Sequence, residues 1–192
     1  MTTKKIMKIP KQAKKVFDGV IFDTYQWEQE MFDGTTETFE RIHRAPSVEC
    51  IAIVDDKIIT LEQKQPTRED WYPSLPGGRI DEGEEPVKAV ARELLEETGY
   101  TAKSFELYRE YSGTSKIHFP EYIFIAKNCK KVSEQNIDSG EKINVKLSTF
   151  DEFVNMFRNK LCATSIYFKF EIYEALLDEK KKEELKEKLF KK

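Results

Sequence analysis

Three glutamates, Glu93, Glu96 and Glu97, stand within five residues of one another. At about 100° per residue in an α-helix they gather on one side, with Glu93 and Glu97 a turn apart. Val87, Val90, Ala91, Leu94 and Leu95 fall on another arc and are expected to face a core. Carboxylates so close repel one another, and no lysine stands on their arc within the helix to relieve them. Two surroundings tolerate such a set: open water, or a hard divalent cation. Mg²⁺ takes oxygen ligands, keeps several waters and joins carboxylates to a substrate phosphate. Arg92 borders the arc and is placed to pair with Glu84 or Glu96, which would hold the acidic side chains in position. Taken singly, any one of these glutamates reads more plainly as part of a solvated surface.

The elements that must position them are legible nearby. Pro76-Gly77-Gly78 permits unusual backbone angles and close approach, so its carbonyls can point at a metal. Pro86 suits a first helical position, and Gly99 suits a C-terminal cap, so a helix is expected from Pro86 to Thr98. Upstream, Lys15 to Arg44 is strand-like, with Val16, Val20 and Phe22 among β-formers and an Asp33-Gly34 hairpin turn. A second hairpin is expected from Val48 to Glu62 around Asp55-Asp56-Lys57, followed by a loop or irregular edge over Gln63–Pro76. Downstream come strands near Ser104–Tyr111, Glu121–Ala126 and Lys142–Leu147, then a short helix over Phe150–Arg158. One long helix is expected from about Thr164 to Phe190. Ile166, Phe170, Tyr173 and Leu177 would be its packing face, and a fraying, solvated end would begin beyond Asp178.

Composition removes several classes of function. The 32 Lys+Arg and 35 Asp+Glu leave a net charge of -3, so no overall field draws nucleic acid to the chain. A polyanionic substrate would need local cations. Cys50, Cys129 and Cys162 are odd in number and widely spaced, which suggests neither a disulfide framework nor a zinc site. The basic opening, MTTKKIMKIPKQAKK, lacks the apolar run of a signal peptide, and no stretch approaches membrane-span length. A cytoplasmic protein with no membrane partner is the expectation.

Read whole, Gly78–Tyr100 resembles the Nudix box, G-x5-E-x7-R-E-U-x-E-E-x-G-U, where U is bulky and apolar. Gly78, Glu84, Arg92, Glu93, Leu94, Glu96, Glu97 and Gly99 take the specified positions, and Tyr100 fills the last. The resemblance implies an α/β/α sandwich with a mixed sheet. Around it would lie an N-terminal antiparallel strand extension (1–46), the Nudix domain (47–160) and a C-terminal helical extension (161–192). It implies Mg²⁺, with Mn²⁺ as the alternative, held by Glu93, Glu96, Glu97 and the main-chain carbonyl of Gly77. Water would attack phosphorus and split a phosphoanhydride. The general base in the similar ADP-ribose and nucleotide-sugar group often comes from a loop after the box. Asp138-Ser139-Gly140-Glu141 resembles that loop, which nominates Glu141 as extra ligand or base, in competition with Glu97.

The same group uses N-terminal strands to pair two subunits, so a homodimer is expected. Arg79 is a candidate diphosphate contact or a plain surface arginine. Trp71 and Tyr72, in the loop before the box, could stack on a base or cap a sheet edge, Lys64 is a candidate phosphate contact, and His118 and Phe119 read as structural or loop residues. The chain departs from that group's pattern at Gln65, where an arginine is expected, in the SLPGG of Ser74–Gly78, and in Pro120, which lies 21 residues after Gly99. A nucleoside diphosphate derivative therefore fits better than ADP-ribose specifically. Dinucleoside polyphosphates and nucleoside triphosphates are the alternatives, followed by a non-catalytic sensor, which would ordinarily lack some box carboxylates.

Overall fold

The computed structural model describes residues 9–113 and 116–191; most of the basic opening stretch lies outside them. In chain order the strands before the box are β1 (Lys14–Asp18), β2 (Phe22–Glu30), β3 (Thr36–Arg44), β4 (Ser47–Val54), β5 (Lys57–Lys64), β6 (Tyr72–Ser74) and β7 (Gly77–Arg79). Then come helix α1 (Pro86–Thr98), β8 (Tyr100–Thr101), β9 (Phe105–Gly113), β10 (Ile117–Ala126), β11 (Lys130–Lys131) and β12 (Lys142–Ser148). Helices α2 (Phe150–Met156), α3 (Ile166–Leu177) and α4 (Glu179–Phe190) complete the chain.

Period-two alternation along β4 and β10 sorts the core into two layers. Ile51, Ile53, Ile123 and Ile125 face one side, where they pack with Phe153 and Phe157, Phe168 and Ile172, and Leu185 and Leu189. Cys50, Ala52, Phe124 and Ala126 face the other, against Ala89, Val90 and Leu94 of α1. The result is the expected α/β/α sandwich. Its sheet is mixed: β10 runs parallel to β3 and β4, and the other pairs are antiparallel.

One detail of the pairing shapes the site. β4 and β5 pair only beside their turn, at Ile53↔Ile58 and Val54↔Lys57. Beyond that they splay, and the chain returns between them, β6 pairing with β5 and β7 with β4. The stretch expected to be a loop therefore contributes a short inserted strand.

Four expectations are corrected. The C-terminal segment is two helices, because Asp178 leaves helical geometry (φ -139°, ψ 111°) and its carboxylate accepts the amides of Lys180 and Lys181. The second helix is not a solvated tail, since Leu185 and Leu189 are buried in the core. On α3 the packing face is Phe168, Ile172 and Ala175; Ile166 and Phe170 are each 60% exposed and Leu177 is 88% exposed. Helix α3 is apolar on nearly every side, so helical spacing alone does not single out the buried stripe. On α1, likewise, Val87 and Leu95 are exposed while Glu97 is buried. That helix is rotated to bring its acidic arc against β7 and away from bulk water.

Replacing Leu189 by alanine is expected to cost about 2–5 kcal/mol in urea unfolding, the range for a large buried aliphatic side chain. Exposed Glu183→Ala should stay within about 0.5 kcal/mol of the parent. A Leu189→Ala loss as small as that of Glu183→Ala would show that α4 is not part of the folded core.

Candidate active site

The site begins where β7 lies along the first residues of β4. Cys50 donates its amide to the Pro76 carbonyl (2.8 Å), and Ile80 donates to Pro46 (2.9 Å). Gly77 is required by the backbone beside it, and Gly78 leaves the space that the Glu93 carboxylate occupies. A side chain at Gly77, whose φ is 156°, would overlap the Val48 carbonyl, and one at Gly78 would overlap the Glu93 carboxylate. This close approach lets the Gly77 amide donate to Glu97 at 2.7 Å, although Glu97 is only 4% exposed. Gln135 holds the other end of that residue by donating to its carbonyl at 2.6 Å.

Arg92 organises the remaining carboxylates. Its Nε and Nη2 donate to the two Glu84 oxygens (3.1 and 2.9 Å), and Nη1 donates to Glu93 (2.8 Å) and Glu96 (3.1 Å). Nη2 also reaches the Arg79 carbonyl at 3.0 Å, tying helix to loop. Glu141 joins from the segment before β12, where a turn closed by its amide on Asp138 carries it to the same place. Glu93, Glu96, Glu97, Arg92, Glu141, Gly77 and Arg79 thus line one cavity of about 560 Å³, with Asp138 beside them.

Gly77, Gly78, Arg79 and Glu141 also line a second, larger cavity of about 910 Å³. Here Arg44 lies over Phe119 (4.3 Å to the ring centroid) and Arg68 over Tyr72 (4.0 Å). Lys160 and Lys169 add positive charge. Neither Lys64 nor Trp71 lines either cavity. Strand alternation points Gln63 and Gln65 into the cleft and Lys64 away from it, while Trp71 stands before β6 and is 42% exposed. Its neighbour Tyr72 is the aromatic that lines the cleft, its hydroxyl donating to Gln63. Phe119, read from sequence as structural, lines the cleft as well. Arg44, Arg68, Lys160 and Lys169 escaped sequence reasoning because only the folded arrangement of β3, β10 and the approach to α3 brings them together. Cys162 also borders the cleft, but burial raises its thiol to about 12, too high for a nucleophile.

The NUDIX domain model matches residues 43–170. The chain belongs to the Nudix family. It is a hydrolase of the Nudix pyrophosphatase type. Among relatives of this Nudix enzyme, an ADP-ribose pyrophosphatase of Bacillus subtilis (strain 168) is 27% identical over 150 residues, covering 77% of this chain and 81% of the relative. A methanol dehydrogenase activator of Bacillus methanolicus is 28% identical over 153 residues, covering 78% and 82%. A crystal structure of an ADP compounds hydrolase shares the fold, with a TM-score of 0.64 and 22% identity over 82% of this chain and 87% of that one.

The electrostatics of the Nudix site are those of charge gathered out of water. Burial, foremost, holds Glu97 well above the usual carboxylate range; the Gly77 amide opposes this, while Glu93, Glu141 and Glu96 add to it. Glu93 is raised by burial against the pull of Arg92, and Glu141 by burial and Asp138. Glu84, held by Arg92, is lowered. Among the described residues no three His, Cys, Asp or Glu side chains already form a metal cage, because Arg92 holds Glu93 and Glu96 while Glu97 turns to Gly77. The donor set nonetheless fits a hard divalent cation: several carboxylate oxygens, short of water, line one cavity beside a glycine that leaves room for Glu93.

On the wall of the larger cavity, Glu49 is raised to about 7, chiefly by burial. A carboxyl raised on folding binds its proton more tightly in the native state, so its contribution to stability is full below about 4.5 and is lost as pH rises through about 7. The shifts of Glu93, Glu97, Glu121 and Glu141 have the same sign. Without divalent cations, the melting temperature is therefore expected to fall by several degrees between pH 5 and pH 8, with a shallower fall in Glu49→Gln. A melting temperature that rises over that interval contradicts this electrostatic picture.

Proposed function

We propose that this Nudix enzyme hydrolyses a phosphoanhydride in a nucleoside diphosphate linked to a second group, giving a nucleoside monophosphate and a phosphorylated product. The observation that carries the reading is the junction of the two cavities. Carboxylates from α1 and from the Glu141 turn meet at Gly77–Arg79, where a cleft lined by arginines, lysines and aromatic rings opens. A diphosphate lying across that junction would place its bridging oxygen beside the acids and its two substituents on either side.

In this reading Glu93, Glu96, Glu97 and the Gly77 carbonyl would hold Mg²⁺, or Mn²⁺ in its place, with Glu141 as an extra ligand or the base. When bound, the ion neutralises phosphate charge and lowers the pKa of a coordinated water. Glu141 or Glu97 takes the proton of the attacking water. Both reach the acidic cavity by separate routes, Glu97 fixed by the Gly77 amide and Glu141 carried in on its own turn. Arg92 keeps Glu93 and Glu96 from dispersing, and Arg79, at the mouth of both cavities, receives a phosphate oxygen. The relative named as an ADP-ribose pyrophosphatase supports a nucleotide linked to a sugar as the substrate class.

Residues 1–46 serve in this proposal as a dimerisation element attached to a catalytic unit (47–160) and a helical extension (161–192), in a cytoplasmic protein. Support comes from the apolar surface of the N-terminal strands, where Phe17 is 60%, Ile21 60% and Phe22 48% exposed. Exposed apolar side chains gathered at one hairpin commonly mark an interface. Light scattering should give twice the mass of one chain, falling toward the single-chain mass in Phe17→Glu/Phe22→Glu. A wild-type monomer would dispose of this assignment.

The catalytic reading is tested with ADP-ribose, ADP-glucose, a dinucleoside polyphosphate and a nucleoside triphosphate in Mg²⁺, separating products by chromatography. Hydrolysis of a diphosphate-linked sugar to a nucleoside monophosphate and a sugar phosphate is expected. Glu97→Gln should lower kcat by about 10²–10⁴-fold at unchanged circular dichroism. A Glu97→Gln enzyme as fast as wild type, or product formation that ignores EDTA, refutes it.

A further inference from the structure

Two carboxylates stand where the alternation of the sheet calls for apolar side chains. On β4, Ile51 and Ile53 belong to the core row that faces α2, α3 and α4, and Glu49 continues that row. On β10, Ile123 and Ile125 do the same and Glu121 continues it, with Ile123 directly across from Glu49. The row thus changes from isoleucine to glutamate at its end in the larger cavity, which both glutamates line. Burying a carboxylate in such a row is unfavourable unless hydrogen bonds compensate.

Part of the compensation is visible. Thr164 donates its hydroxyl to one Glu49 oxygen (2.5 Å), the Ser165 amide donates as well, and the Ser165 hydroxyl reaches Glu121 at 3.2 Å. A carboxyl has about four hydrogen-bonding sites, charged or protonated, so two donors leave Glu49, which lines the cavity, with capacity for a further partner. Five cations, Arg44 and Lys169 among them, and five acids line the cavity, so its formal charges balance. A further phosphate would meet the glutamates, and an amine would meet the lysines. A neutral group rich in hydroxyls suits both, because each hydroxyl donates to a carboxylate and accepts from a cation.

We propose that the Glu49–Glu121 wall is the subsite for an uncharged, hydroxyl-bearing sugar unit of the substrate, with Glu49 as the specificity-determining residue. This rests on the hydrolase reading above for the identity of the diphosphate. Glu49 acts at a distance from the bond that breaks, selecting what the diphosphate carries. A purely structural alternative exists on the same atoms, since Glu49 receives donors at the start of α3. It predicts loss of stability together with equal weakening of every ligand.

The test uses non-hydrolysable α,β-methylene analogues, so that binding is read apart from turnover. One carries a sugar with free hydroxyls, one a hydroxyl-free alkyl group of similar size, and one an aminoalkyl group. Calorimetry on the full chain is expected to show wild type preferring the sugar analogue over the alkyl analogue by about tenfold or more. The preference should fall about tenfold in Glu49→Gln and further in Glu49→Leu, which completes the apolar row. A preference unchanged within about twofold in Glu49→Gln overturns the proposal, as does a wild type that binds the alkyl analogue equally or favours the amine. Should Glu49→Leu fail to fold, Glu49→Gln alone decides. Absence of hydrolysis of the parent nucleotide sugar, with the binding preference intact, would count against the hydrolase reading and leave the subsite standing.

Discussion

Arg92 commits its guanidinium to oxygen atoms of Glu84, Glu93, Glu96 and Arg79, and much of the surrounding structure follows from that arrangement. Like charges in a poorly hydrated cavity separate unless something fixes them. One guanidinium cannot neutralise every acid here, so it works by geometry: a planar fork sets where Glu84 and Glu93 sit, and the carbonyl of Arg79 sets where the fork sits. Glu97 is held independently by the Gly77 amide, which requires that residue 77 have no side chain. The excess negative charge left over suits a divalent cation, and an anionic phosphate would be tolerated there only with such an ion between them.

The cleft beside this cluster is a consequence of sheet pairing. Had β4 and β5 stayed paired along their length, their hydrogen bonds would have sealed the sheet and left no entrance. They part after Ile53 and Ile58, and β6 and β7 satisfy the freed backbone groups. The insertion brings Gly77–Arg79 to the edge of the acidic cavity on one side and to the larger cleft on the other. Backbone satisfaction and substrate access are therefore met by the same six residues of strand.

Local chemistry was legible in the chain before folding, and long-range placement was not. The box helix could be read to its ends because Pro86 and Gly99 mark them and the glutamates repeat at helical spacing. The Asp33-Gly34 turn and the Asp55 turn were readable for similar reasons; Asp55 takes a φ of 54°. What failed were choices between faces. α3 offers apolar residues all round, so periodicity could not select Phe168 and Ile172 over Ile166 and Phe170. In α1 a buried glutamate defeated the rule that acids face outward, because a backbone amide twenty residues earlier receives it. The cleft was least legible: Arg44 and Phe119 are joined only once β10 comes alongside β3 and β4.

The two kinds of residue also occupy different parts of the fold. The acids come mainly from one helix and one loop, held by contacts within the box itself. The walls of the cleft come from β3, β10 and the strap over residues 160–165, which reaches the inserted strand through Ala163 donating to Pro73 (3.0 Å) and then begins α3. That strap is bound on one side to the cleft and on the other to the core helices, so its position depends on how α3 packs. Glu49 and Glu121, which face the strap, hydrogen-bond to it at Thr164 and Ser165 and take no part in the Arg92 network. The two sets of side chains are thus held independently along one continuous wall, and that independence follows from where the strand alternation places its last acidic residues.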